Sequence, residues 1–168
     1  VQIKQQHRIC IDDIILEKID APKVDETESD VNLIKNADFS EGDNGLSNWE
    51  GGIMGDAVGT QTVDKGVITY ELSDVGTADW NVQLKQMGLA LENGKTYEAS
   101  ITLKSTEART VLLNFMSNSY KWYGGETIVL PKNEEVVKTI TFTMNEETDT
   151  DAGFFLSMGK SADVDTPA

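Results

Sequence analysis

One apolar segment stands apart near the start of the chain and limits what the chain can fold into. Residues 9–16 read Ile-Cys-Ile-Asp-Asp-Ile-Ile-Leu, a composition typical of a buried strand. Residues 20–31 are acidic, polar and non-periodic, which predicts a linker. Because a lone strand cannot bury its own side chains, this strand must dock onto the body that follows or onto another chain. We therefore expect a displaced strand within 1–19, the linker 20–31 and a body of 32–168.

The body has the sequence pattern of an all-β protein. Runs rich in β-branched and aromatic residues alternate with Gly, Asn and Asp, and 136–144 places Ile140, Phe142 and Met144 opposite three threonines. Such a series of short strands predicts a β-sandwich or a barrel. The predicted strands lie near 8–17, 32–34, 58–63, 67–72, 80–86, 96–104, 109–117, 126–130, 136–144 and 152–158.

Composition argues against several functional classes. The 168 residues include 29 acidic residues against 14 Lys and Arg, a net charge of −15, which disfavours nucleic acid and anionic membrane surfaces as partners. No apolar stretch approaches the ~20 residues that a membrane span needs. A single cysteine, Cys10, excludes an internal disulfide, and a single histidine, His7, disfavours a Ser-His-Asp triad. We expect Cys10 to be a small buried residue and His7 to lie at the surface.

The segment Trp80-Asn-Val-Gln-Leu84 has the chemistry of a sugar site. An aromatic face can pack on the C–H face of a pyranose while amides bind its hydroxyl groups. The alternative is that Trp80 belongs to the core. Strict alternation places Trp80 and Gln83 on opposite faces, so a groove that uses both needs a bulge or a strand end at Trp80.

A second aromatic cluster lies in Ser117-Asn-Ser-Tyr-Lys-Trp-Tyr-Gly-Gly125, which we predict to be a loop. Three aromatics within four residues, Tyr120, Trp122 and Tyr123, are unusual for a turn and indicate a binding surface. The alternative is that they anchor the loop to the core.

The acidic residues allow two interpretations. Glu146, Glu147, Asp149 and Asp151 fit a solvated hairpin loop, whereas Asp12 and Asp13 interrupt an apolar strand, where a buried carboxylate must be paired or metal-bound. The oxygen-rich loop 36–40 could complete a calcium shell.

Several motifs in series resemble carbohydrate-binding modules of the family 4/9-like group. They are Asn32-Leu-Ile-Lys-Asn-Ala-Asp-Phe-Ser-Glu-Gly42, Leu46-Ser-Asn-Trp49, Trp80-Asn-Val-Gln-Leu-Lys-Gln86, Leu91-Glu-Asn-Gly-Lys-Thr-Tyr97, Thr139-Ile-Thr-Phe-Thr-Met144 and Phe155-Leu-Ser-Met-Gly159. The resemblance covers about 32–160 and implies a jelly-roll β-sandwich with a concave ligand-binding face.

The resemblance also implies roles for individual residues. Trp80 would stack on a sugar ring and Gln83 would bind hydroxyl groups, with Tyr123 as the facing platform and Tyr120 or Trp122 as substitutes. The remaining implied sugar-site positions are Asn81, Asn118 and Ser157, of which Ser157 replaces a frequent Gln or His. A structural calcium would be held by Asp12, Asp38, Ser40 and Asp64, and Ser40 replaces a frequent Glu.

Modules of this kind end with a strand similar to Tyr-Ile-Asp-Asp-Val-Ser-Leu, but this chain has its match at residues 9–16. The strand could be the remnant of a preceding tandem module, or the chain could be a circular permutant. In either case we expect the strand to fill the empty position in the sheet, supplied by the same chain or by exchange with a neighbouring one.

The resemblance implies a non-catalytic module that holds a secreted, extracellular bacterial glycanase on plant cell-wall polysaccharide. The groove type implies single chains of amorphous cellulose, mixed-linkage β-glucan or xylan. The alternatives are a jelly-roll glycanase or lyase, and an adhesion or spacer module. Against an enzyme, we find no carboxylate pair on the strands of the predicted groove, since Glu71 and Glu98 alternate with core residues.

Overall fold

The computed structural model describes residues 7–19, 32–42 and 45–160, and within them the chain forms ten strands and one short 3₁₀ turn. The predicted linker 20–31 and the side chain of His7 lie outside the described part. The 3₁₀ turn Asp79–Asn81 precedes the fifth strand. The strands are β1 His7–Lys18, β2 Glu50–Ile53, β3 Val58–Asp64, β4 Val67–Asp74, β5 Val82–Leu91, β6 Thr96–Ser105, β7 Arg109–Met116, β8 Trp122–Leu130, β9 Glu135–Thr143 and β10 Asp149–Ser157.

The strands form two antiparallel sheets that pack face to face. The first sheet has the order β3-β4-β1-β6-β9 and the second has the order β2-β5-β10-β7-β8. One apolar core fills the space between them, where Phe115 of β7 stacks on Phe142 of β9 with 4.9 Å between the ring centroids. The predicted all-β sandwich is thus confirmed.

Two predicted elements differ from the structure, and one strand was not predicted. Residues 32–34 form no strand, because Asn32 and the residues after it make a hydrogen-bonded turn. Residues 122–125, which we assigned to a loop, begin β8. The strand Glu50–Ile53 was missed because its Gly-Gly pair has no strand propensity.

The apolar strand β1 lies at the centre of the first sheet. It pairs with β4 on one edge and with β6 on the other. The four apolar side chains on its inner face, Ile9, Ile11, Ile14 and Leu16, are at most 1% exposed. Without β1, β4 and β6 would each expose an unpaired edge and the core would be open on one side.

A β-bulge at Asp12 and Asp13 corrects our reading of these two acids. The register with β6 shifts between Asp12 and Ile15, and Asp13 takes a positive φ of 49°. The extra residue resets the alternation, so that Ile14 faces the core and neither carboxylate does. Asp12 is half-buried, accepts a hydrogen bond from the backbone N–H of Asp13 at 2.8 Å, and Asp13 is exposed. The premise of a fully buried carboxylate is therefore wrong.

Asn32 fastens the end of β1 to the start of the body. Its Oδ1 accepts the N–H of Leu16 at 2.9 Å and that of Ile34 at 3.0 Å, and its Nδ2 donates to the carbonyl of Ile14 at 2.9 Å. The N–H of Leu33 donates to the carbonyl of Leu16 at 2.8 Å. Three of these hydrogen bonds join the two sides of the 20–31 segment, and the bond to Ile34 shapes the turn that follows it.

Across the described ranges, no helix has the length and hydropathy of a membrane span.

The central position of β1 predicts that substitutions at two isoleucines of this strand affect the free energy of unfolding differently. Ile11→Ala should lower the free energy of unfolding by about 2–5 kcal/mol, because it leaves a cavity in the core. Ile15, which is 38% exposed on the same strand, provides the matched control. Ile15→Ala should cost less than about 1 kcal/mol in urea denaturation. Equal losses for the two variants would mean that β1 does not carry the core of the first sheet.

Candidate functional site

A groove of about 770 Å³ crosses the outer face of the second sheet. Alternation along β5 and β7 sends Val82, Leu84 and Phe115 into the core and presents polar side chains on the opposite face. The residues that line the groove are Glu50, Gly51, Met54, Asp79, Trp80, Gln83, Lys85, Asn114, Met116, Tyr120, Phe155 and Ser157.

Trp80 lies in the 3₁₀ turn immediately before β5, so the strand begins only at Val82. This is the strand end that a groove containing both Trp80 and Gln83 requires, and the structure places both residues there. The indole is 53% exposed. A backbone hydrogen bond ties this turn to the segment after β10, because the N–H of Gly159 donates to the carbonyl of Asp79 at 2.8 Å. Trp80 is thus an exposed aromatic on a hydrogen-bonded turn.

Gln83 and Ser157 form the polar pair beside Trp80. They are register partners on β5 and β10, and the Gln83 Nε2 donates to the Ser157 Oγ at 3.2 Å. Ser157 is 7% exposed and forms part of the groove floor. Since this bond uses one amide hydrogen, the Oε1 of Gln83 is left as an acceptor toward the groove.

Tyr120 supplies the facing aromatic. It is 67% exposed and lies in the turn between β7 and β8 with a positive φ of 71°. The hydroxyl of Ser117 holds this turn by accepting the N–H groups of Ser119 at 3.1 Å and Lys121 at 3.0 Å. The Tyr120 ring lies 6.1 Å from that of Phe155 on the groove floor.

Trp122 lies at the far side of the second sheet, on β8, and is 58% exposed. Its Nε1 donates to the Oδ1 of Asn114 at 3.0 Å. Trp122 itself does not line the groove. Because the bond uses the amide oxygen of Asn114, which does line it, the Nδ2 of Asn114 keeps its capacity to donate to a ligand.

Asn81 does not belong to the groove, which corrects our placement of its side chain. It is 2% exposed, and its Oδ1 accepts the N–H groups of Thr77 at 2.9 Å and Ala78 at 2.8 Å. A Cβ built on Gly55 or Gly76 would lie within 2.5 Å of this side chain, so both glycines make room for it. Asn81 shapes the turn that presents Trp80.

Tyr123 and Asn118 also lie outside the groove lining. Tyr123 packs against the core and donates its hydroxyl to the Asp149 Oδ2 at 2.7 Å. Burial, and then this hydrogen bond, raise the pKa of Tyr123 to about 12. Asn118 donates to the Asp151 Oδ2 at 3.1 Å. A bulge between Phe115 and Met116 shifts the alternation of β8, so the facing platform is Tyr120 and not Tyr123.

Two carboxylates line the groove, contrary to our reading of the sequence. Glu50 begins β2 and Asp79 begins the 3₁₀ turn, and neither position could be assigned to the groove before β2 and the turn were known. Glu71, by contrast, forms an ion pair with Arg8 on the first sheet.

The sequence analysis also missed Lys85, Asn114 and Phe155. A signal for Phe155 was present, because adjacent phenylalanines in a strand point to opposite faces and Phe154 fills the core. Asn114 likewise alternates with Leu113 and Phe115, both of them buried. Lys85 follows Gln83 by two residues and therefore shares its face.

The candidate calcium ligands are only partly brought together. The Ser40 Oγ donates to the Asp38 Oδ1 at 2.7 Å, and the backbone carbonyl of Asp38 lies 3.4 Å from where a Cβ on Gly66 would be. Asp64 ends β3, two residues before Gly66. In the described part of the chain, no three His, Cys, Asp or Glu side chains meet in a group that could hold a metal. A calcium ion here would need backbone carbonyls for much of its shell.

Comparison with known proteins gives a consistent answer. A search of curated proteins finds no match. Among solved structures, one described as "CBM4 structure and function" is 24% identical, with a TM-score of 0.65 over 76% of this chain and 89% of that chain, a likeness that concerns the fold. The family model described as "Carbohydrate binding domain" matches residues 31–166. The chain therefore belongs to the family 4/9 carbohydrate-binding domains and is a carbohydrate-binding module, of a kind that is generally non-catalytic.

Proposed function

We propose that the groove binds a single β-linked glycan chain of the plant cell wall, namely amorphous cellulose, mixed-linkage β-glucan or xylan, and holds an attached secreted glycanase on it. The observation that carries the proposal is the pairing of Trp80 and Tyr120, both more than half exposed, around a floor of amide and hydroxyl groups. Exposed aromatics that gather along one groove mark a ligand-binding surface, whereas singly scattered ones need no explanation.

The chemistry of the groove fits a sugar chain. The Trp80 face offers the flat apolar surface on which a pyranose ring packs. Beside it, Gln83, Ser157 and Asn114 supply amide and hydroxyl groups that can exchange hydrogen bonds with sugar hydroxyls. Because these residues line a groove and not a flat row of aromatics, the site suits a single chain better than the flat face of a crystal.

The second candidate function is that of a glycanase, and Glu50 with Asp79 is the observation that favours it. Glycosidases use two carboxylates that flank the scissile bond. Against catalysis, family 4/9 domains are generally non-catalytic. Release of reducing sugars from soluble β-glucan, lost in Glu50→Gln or Asp79→Asn, would establish the enzyme.

Trp80→Ala should abolish binding to soluble β-glucan or xylan. A stacked aromatic at the centre of an interface contributes about 2–4 kcal/mol, which corresponds to roughly 30- to 1000-fold in Kd. The measurement is retardation in native gels that contain each polysaccharide, followed by calorimetry on the polymer that binds best.

The urea midpoint of Trp80→Ala serves as the fold control. It should stay close to that of the parent protein, because the indole is 53% exposed. Unchanged retardation of a folded Trp80→Ala protein would remove this groove as the binding site.

Gln83→Ala should weaken binding by about 1–3 kcal/mol, because a ligand hydroxyl would be left buried without a partner. Gln61→Ala provides the matched control, since Gln61 lies on β3 of the first sheet and does not line the groove. If both variants bind as the parent protein does, Gln83 makes no contact with the ligand.

The proposed calcium is tested by thermal melting. An ion bound only by the folded chain raises Tm by mass action, so Tm should fall in EDTA and recover in excess calcium. Asp38→Ala should remove the response, and Asp13→Ala should retain it because Asp13 is exposed and outside the proposed ligands. A melting curve insensitive to both additions would exclude the metal and leave the position of β1 unaffected.

A further inference from the structure

Lys85 is a cation on the floor of the groove in a protein whose net charge is −15. Its Nζ lies over the ring of Phe155, 5.2 Å from the centroid. Its register partner across the sheet edge is Glu50, yet these two residues form no ion pair among those found in the described ranges. The ammonium therefore lies over Phe155 and forms no ion pair with Glu50.

Four lysines outside the groove have a different environment. Lys18, Lys121, Lys132 and Lys138 each form an ion pair with a glutamate on the surface. Lys85 is held instead by the face of an aromatic ring, a contact that leaves its three N–H donors free for a further partner.

Asn114 is a second hydrogen-bond donor beside Phe155. Lys85, Phe155 and Asn114 are successive register partners on β5, β10 and β7. Adjacent strands are ~4.8 Å apart, so the backbones of Lys85 and Asn114 lie about 10 Å from each other on either side of Phe155. Since the Asn114 Oδ1 accepts from Trp122, its amide presents hydrogens to the groove. The middle of the groove is thus rich in donors, whereas Glu50 and Asp79 occupy its edge toward β2 and the 3₁₀ turn.

We propose that Lys85 makes the middle of the groove a subsite for a carboxylate, so that the preferred ligand is a β-glycan chain that carries uronic acid groups. The inference rests on the proposed function and narrows its substrate class. A charge-assisted hydrogen bond from an ammonium to a carboxylate is stronger than a neutral one. The overall charge of −15 repels polyanions, so a preference for the acidic chain must come from this local contact.

The test compares polymers that share a backbone and differ in the carboxylate. Glucuronoxylan is set against its carboxyl-reduced form, and C6-oxidised β-glucan against native β-glucan, by calorimetry at constant ionic strength. On the backbone that the protein binds, the acidic polymer should bind about tenfold more tightly than the neutral one.

Three variants assign the preference to Lys85. Lys85→Gln should reduce the ratio of the two affinities to near one, and Lys85→Arg should retain it because the charge is kept. Lys104→Gln, on β6 of the first sheet, removes the same charge outside the groove lining and should leave the ratio unchanged.

Two results would overturn the proposal, and they differ in whether the glycan-binding function survives. Equal binding of acidic and neutral polymers by the parent protein, or a ratio unaffected by Lys85→Gln, removes the carboxylate subsite while the glycan-binding function stands. Absence of binding to all four polymers defeats the proposed function and the subsite together.

Discussion

Main-chain pairing along both edges of β1 is the interaction on which the rest of the molecule depends. β1 joins β4 to β6 and supplies four buried aliphatic side chains to the core. The second sheet packs its inner side chains on that core. Because side chains alternate along a strand, fixing the inner residues also fixes the outer residues that line the groove. In this way β1, which lies in the other sheet, helps to position the groove. A sheet edge left open at this position would expose both hydrogen-bonding groups and core.

The side-chain amides of Asn32 and Gln86 link β1 to the strand that carries the groove floor. Asn32 ties Leu16 to the start of the body, and three residues later the N–H of Lys35 donates to the Gln86 Oε1 at 2.8 Å. The Gln86 Nε2 returns a bond to the carbonyl of Lys35 at 2.9 Å. Gln86 is 1% exposed and lies on β5, next to Lys85 and three residues after Gln83. The strand that bears the polar floor is thereby fixed from its inner side.

Asn36 holds the loop that leads into β2, the strand at the edge of the groove. Its Nδ2 donates to the carbonyls of Gly45 at 3.0 Å and Ser47 at 2.8 Å, and its own carbonyl accepts the Trp49 Nε1 at 2.9 Å. Trp49 then packs edge-on against Phe154 of β10 at 5.7 Å. Because Glu50 follows directly and begins β2, this buried tryptophan sets the position of the groove edge.

Alternation predicted most strands, and side-chain chemistry singled out Trp80, but two bulges decided which side chains face where. In β1 the bulge keeps Asp13 out of the core, and in β8 another accompanies the packing of Tyr123 against the core, which leaves Tyr120 as the facing aromatic. A bulge depends on tertiary register and on a residue that tolerates an unusual φ, so a period of two cannot locate it. Glu50 joined the groove through a Gly-Gly strand that has no propensity signal. The sequence thus predicted the β-sandwich and singled out Trp80, whereas the residues of the groove floor could be identified only from the pairing of the strands.

The polar groups of the floor are already paired with each other before any sugar arrives. Gln83 with Ser157 and Asn114 with Trp122 hold their side chains in one orientation, so binding costs little additional side-chain entropy. The hydroxyls of a glycan then exchange water for fixed partners, a substitution of modest net free energy. In the proposed site, affinity would come mainly from the exposed aromatics, which offer the same apolar face to any β-linked chain. Discrimination between chains would then have to come from groups whose pairing the fold leaves incomplete, and the charged residues at the centre and the edge of the groove are the strongest of these.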